Sequence, residues 1–195
     1  MGLSIHYSGK FRKNASLPEL IEEVREIAEV HKWPYAVYQT DFPENSTDKE
    51  EHDDEVYGIS FTPPECETIP IEFLSNGRMS NSANLMLWGK AKQKPEKDYL
   101  YMNSVKTQFA GIETHKFIIH LFKYLSKKYL DDFRMLDEGR YWETGDEKQL
   151  TKIFTQYDNL LDSFASSLES LPMHEEETFE DYILRIVRQV RKKNR

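Results

Sequence analysis

Asp137, Glu138, Glu143, Asp146 and Glu147 fall within eleven residues, together with Tyr141 and Trp142. Two carboxylates held close together ligate a hard cation such as Mg²⁺, or divide into a general acid and a general base when their environments differ. His115 adds an imidazole to this set, and Asp137, Glu138, Glu143, Asp146 and His115 form the candidate ligand or metal site. A structural reading competes with it. Glu147 caps a helix, Asp146 complements its dipole, Asp137 and Glu138 occupy a turn, and the two aromatic rings anchor the segment to a core. Acidic residues are so common at helix starts that the structural reading carries more weight. His115 and His120 are five residues apart, which rotates them by roughly 140° about a helix, so they do not chelate one ion together.

Other reactive side chains offer less. Cys66 lies between Glu65 and Glu67, whose negative charge raises a thiol pKa and opposes nucleophilic use. The chain has no G-x-S-x-G elbow and neither glycine-rich phosphate-binding pattern. Lys106 precedes Ala110-Gly111, and a strand-to-helix turn needs glycine with or without an anion to hold. One cysteine permits neither an internal disulfide nor a multi-thiolate zinc site. No cofactor is expected, and the balance leans to a non-catalytic chain, with a metal-assisted enzyme or small-ligand binder using the 137–147 carboxylates as the alternative.

Charge is the second source of candidates. The chain has 195 residues and a formal net charge of -8, and it is very unevenly charged. Residues 41–55 hold eight carboxylates against Lys49, and the last eleven residues hold six cations and no acid. Glu50, Glu51, Asp53 and Asp54 in the first segment, and Arg188, Arg191 and Lys192 in the second, are the candidate interaction residues. Acidic charge elsewhere repels nucleic acid at physiological salt. A basic protein partner fits better, steered by the acidic surface as small inhibitor or immunity proteins are. No apolar run approaches the roughly 20 residues that cross a bilayer, so no membrane role is expected and the cytoplasm is the expected compartment. Oligomeric state is left open.

The elements that must position these groups follow from periodicity. Leu3, Ile5 and Tyr7 alternate with polar residues and predict a strand. Ser16-Leu17-Pro18-Glu19 predicts a capping box that opens a helix with Leu20, Ile21, Val24 and Ala28 on one stripe. Further strands are expected at Tyr35–Gln39, Val56–Thr62, Ile69–Phe73, Leu85–Trp88 and Tyr99–Phe109, with Asn76-Gly77 as a hairpin turn. The stretch 41–55 is expected to be a solvated, mobile loop. From Gly111 the period changes to 3.6, and helices are expected over about 112–130, from a second capping box at Thr144 to Glu147, and after Pro172. Strands joined mainly by turns predict an α+β fold with a mostly antiparallel sheet, packed by an early helix and three C-terminal helices. Residues 1–170 read as one domain and 171–195 as a helical extension with a basic end.

The segments Val105-Lys106-Thr107-Gln108-Phe109-Ala110-Gly111 and Asp137-Glu138-Gly139-Arg140-Tyr141-Trp142-Glu143-Thr144-Gly145-Asp146 resemble a group of uncharacterised bacterial hypothetical proteins. Residues Met1 to Gly9 and Leu17 to Ile21 are similar to the start of the same group. The resemblance implies a bacterial cytoplasmic protein and carries no mechanism.

Overall fold

Eight residues of alternating burial, Ser4–Phe11, form β1, and it is the central strand of a three-stranded antiparallel sheet. The computed structural model that shows this describes residues 2–174 and 177–193, with side chains as far as Val190. β6 (Asn103–Lys106) and β7 (Leu130–Asp137) flank β1. The register sets Ile5 opposite both Val105 and Asp137, so side chains 100 and 132 residues away in sequence share its face. A second antiparallel sheet contains β2 (Tyr35–Val37), β3 (Tyr57–Phe61), β4 (Ile69–Phe73) and β5 (Met79–Ser80), in that order. The end of β1 joins the two sheets, because the Phe11 amide donates to the Gly77 carbonyl at 2.7 Å. The fold is α+β, with mostly antiparallel sheets.

Two helices close the main core. α1 (Leu17–His31) has Ser16 as its N-cap, whose hydroxyl accepts from the Glu19 amide at 3.3 Å. Its stripe of Leu17, Leu20, Ile21, Val24 and Ala28 is buried. α4 (Gly111–Tyr129) buries Ile118, Leu121, Phe122, Leu125 and Tyr129, and Phe122 meets the Tyr7 ring at 4.5 Å. These stripes follow the helical period, as amphipathic packing requires. α6 (Glu147–Ser170) and α7 (Phe179–Lys193) form a helical hairpin with its own small core of Tyr182, Ile186 and Val190 beside Phe164 and Leu168. Among the described residues no helix is long and apolar enough to cross a membrane.

Four expectations change. Leu85–Trp88 is not a strand but part of α2 (Ser82–Trp88), whose N-cap Asn81 accepts from the Asn84 amide at 2.8 Å. Four consecutive apolar residues carry no period, and the cap decides the outcome. Within 99–109 only Asn103–Lys106 is strand; the turn before it contains the short α3 (Glu96–Tyr99). The helix cap near 144 is Asp146, not Thr144: its carboxylate accepts from the Lys148 and Gln149 amides. The acidic stretch 41–55 is not free in solvent. Ser46 donates to the Ser75 carbonyl at 2.6 Å, the Asp53 amide donates to the Ser75 hydroxyl at 2.9 Å, and Phe42 packs 5.3 Å from Phe11 and 5.2 Å from Tyr57.

Phe42 is therefore the apolar pin of this segment. Phe42→Ala is expected to cost about 2 kcal/mol, below the usual loss for a fully buried Phe because the ring is half-buried. Proteolysis within 41–55 should become faster. Denaturant unfolding and limited proteolysis check both; a variant cleaved no faster than wild type would mean that Phe42 does not hold the segment.

Candidate functional site

The carboxylate-rich segment turns out to be an internal support. Asp137 is 2 % exposed and His115 is fully buried. Asp137 Oδ1 accepts from the Gly139 amide at 2.7 Å, and Oδ2 accepts from the Tyr141 and Trp142 amides at 2.7 and 2.9 Å. One carboxylate thus organises the turn and starts the short helix α5 (Tyr141–Thr144). His115 Nε2 lies 3.1 Å from Asp137 Oδ1 without the alignment of a hydrogen bond, and its Nδ1 shares a 2.8 Å bond with the buried Thr107 hydroxyl. Gly139 permits this approach, since a Cβ there would stand 3.0 Å from both His115 Nε2 and Asp137 Oδ1. Although desolvation opposes it, His115 and the donated amides hold the Asp137 carboxyl below its ordinary pKa. Thr, His and Asp are acid–base residue types, but here all three are sealed from substrate.

The rest of the candidate ligand set scatters. Glu138, just past the end of β7, turns away from this set: it accepts from the Ser4 amide and lies 3.8 Å from His6. Glu143 is exposed, and Asp146 is engaged as the α6 cap. Among the described residues no three His, Cys, Asp or Glu side chains gather as a metal site, so the proposed metal constellation of Asp137, Glu138, Glu143, Asp146 and His115 is not assembled. The Lys106 amide donates to Glu67, and Cys66 packs against the Lys106 carbonyl, its thiol pushed up to about 12 by burial.

The candidate interaction residues divide. Glu50, Glu51 and Asp54 are exposed, whereas Asp53 is structural: its carboxylate accepts from the Tyr57 hydroxyl at 2.7 Å. Arg188 is exposed. The side chains of Arg191 and Lys192 lie outside the described residues. Arg185, part of the same basic end, is tied to Glu177 by two bonds of 2.8 and 2.7 Å.

Sequence reasoning missed an exposed apolar surface on α2. α2 reads Ser-Ala-Asn-Leu-Met-Leu-Trp, yet none of its residues is buried. Leu85 and Trp88 lean on Val56, Leu74 and Leu100, while Met86 is 80 % and Leu87 64 % exposed. Facing α2 is β2, exposed along its whole length and, among the described residues, paired only with β3. Pro34 and Tyr38 bond to β3 through the Thr62 and Gly58 backbones. Antiparallel alternation therefore turns the amides and carbonyls of Tyr35 and Val37 outward. Between them runs a groove of about 1070 Å³, lined by Val37, Leu85, Met86 and Trp88, with Asp54, Glu55 and Glu96 against a single cation, Lys90.

A smaller cleft of about 390 Å³ adjoins it, with Tyr38 and Ser82 lining both. Glu72, on the second face of β4, lines it and is 3 % exposed. One carboxylate oxygen accepts from the Ser82 amide at 3.2 Å. Burial raises the Glu72 carboxyl to about 7, against the opposing pull of the Ser82 amide and the Ser60, Ser82 and Tyr38 hydroxyls. The sequence signal was an acid at an otherwise apolar strand position, followed by the Ser- and Asn-rich run 75–84.

No protein-family model, curated protein or solved structure matches the chain.

Two substitutions test the buried carboxyls. Asp137→Asn turns an acceptor into a donor against inward-pointing amides, and should cost about 3 kcal/mol. The wild-type contribution of Asp137 is present above the ordinary carboxylate range and lost as pH falls through its lowered value, so the gap between wild type and variant should narrow in acid. Glu72 has the opposite sign. Its protonated form favours the fold, and that contribution declines as pH rises from 4.5 through about 7. Glu72→Gln should gain melting temperature relative to wild type between pH 5 and pH 8; parallel profiles would contradict a buried, raised carboxyl.

Proposed function

We propose that the protein is a non-catalytic interaction domain that captures an extended basic segment of a partner protein along the groove between β2 and α2. The observation that carries this reading is an apolar helix that buries none of its own residues beside an unpaired sheet edge. An exposed strand edge offers backbone donors and acceptors to a further strand, and flanking pockets select alternate side chains. Met86 and Leu87 supply the apolar contact. Three carboxylates against one ammonium along the groove favour positive charge on the incoming chain. Glu50 and Glu51, exposed on the same acidic stretch as Asp54 and Glu55, extend that field and steer the partner toward the groove.

The Thr107–His115–Asp137 set is closed to solvent, so these three residues offer a substrate no acid or base. A capped eight-residue peptide of alternating valine and lysine is a suitable probe. It is expected to bind, to slow hydrogen exchange at the Tyr35 and Val37 amides, and to weaken as salt rises. The valine–glutamate counterpart should not bind. Replacing Met86 and Leu87 together by Ser, which removes the apolar contact without adding charge, should reduce affinity at least tenfold without changing the melting temperature. Equal binding of the two peptides, or exchange at Tyr35 and Val37 that the peptide leaves unchanged, would overturn the reading.

A further inference from the structure

We propose that the cleft beside the groove is an anchor pocket in which Glu72 receives the ammonium or guanidinium group of one Lys or Arg side chain of the captured segment. This rests on the groove reading and names what decides its specificity. Four observations carry it. Glu72 lines the cleft and is 3 % exposed, and among the described residues no cation pairs with it. A buried carboxylate without a counter-charge is unfavourable, and a fitted cation relieves that cost. The cleft combines the polar side chains of Tyr38, Thr68, Asn81, Ser82, Asn84 and Ser104 with Pro70, Ala83 and Met102, and its exposed surface is more apolar than polar, a mixture that suits the methylene stem and charged head group of a Lys or Arg side chain. Its volume of about 390 Å³ lies within the range of roughly 300–1,000 Å³ typical of ligand sites. Tyr38 and Ser82 belong to both cavities, so the two are contiguous there, and a long side chain of a segment lying in the groove beside Ser82, whose amide donates to Glu72, extends toward the carboxylate.

The surroundings of Glu72 make the pairing readable by pH. β3 presents Gly58 and Ser60, β5 presents Ser80, and α2 presents Ser82. The titratable groups facing Glu72 are the phenols of Tyr38 and of Tyr7; the latter donates to the Pro70 carbonyl at 2.8 Å, and burial raises its pKa well above the ordinary value. Beyond Tyr7 lies the Cys66 thiol, at about 12. No histidine lines the groove or the cleft. Glu72, raised to about 7 by burial, is then the group whose proton leaves when a cation enters.

Calorimetric titration of the full chain with the valine–lysine peptide tests this. Run at pH 7 in two buffers of different ionisation heat, it should show release of about half a proton per peptide bound. Affinity should rise roughly tenfold from pH 6 to pH 8, as expected when only the ionised form binds. In Glu72→Gln the release and the pH dependence should both vanish while the salt dependence remains. If that variant fails to fold, proton release by wild type alone decides the matter. Peptide binding with no proton release and an unchanged affinity for Glu72→Gln would overturn the anchor pocket and leave the groove reading standing. No peptide binding by wild type would overturn the groove itself.

Discussion

A carboxyl group on the second face of β4 has to be accommodated inside the protein, because both β3 and β4 are buried along their full length. One face packs on the main core through Ile59, Ile69, Ile71 and Phe73. The other is covered by α2, Tyr38 and β6, and this is where Glu72 lies. A lone charge there costs far more than a hydrogen-bonded neutral group, and the neighbourhood is built accordingly. Ser60, Ser80, Ser82, Asn81 and Asn103 surround the position with hydroxyls and amides. Asn81 serves this layer twice: it caps α2 and donates to Asn103 Oδ1 at 2.7 Å. Because α2 is placed by caps and polar contacts, not by deep apolar packing, its Met86 and Leu87 remain outward and the groove stays open.

Asp137 and Glu72 resolve the same problem differently. Asp137 gathers three backbone amides and lies beside His115, so its charge is compensated from within. Glu72 accepts one amide and leans on hydroxyls, so its charge is only partly compensated. A compensated carboxylate holds a turn in place. An uncompensated one lining a cleft keeps a preference for a cation, and that difference separates support from site.

Helix periodicity made much of the fold legible. The stripes of α1 and α4, the Ser16 cap and the Asn76-Gly77 turn each rest on local rules that survive packing. What local rules cannot carry is the covering of a second face. The Ile69, Ile71 and Phe73 alternation reads as a half-solvated strand, and nothing within five residues reveals that α2 covers Pro70 and Glu72. The run Leu85-Met86-Leu87-Trp88 is too short to choose between strand and helix. The acidic stretch reads as solvated from its charge, because the attachment through Ser46, Asp53 and Phe42 needs partners 15 to 31 residues away. In the 137–147 segment the sequence gathered the right residues but not their roles, since burial at β7 is fixed by pairing with β1 more than 130 positions earlier.

The central claim is that Glu72 is a buried, unpaired carboxyl lining a cleft that receives a cation. Carbon-13 NMR titration of the Glu72 side-chain carboxyl, free and with the valine–lysine peptide bound, measures it most directly. The account predicts a midpoint near 7 in the free protein and a clear fall on binding. A free-protein midpoint at the ordinary carboxylate value, or one that peptide binding leaves in place, would contradict it.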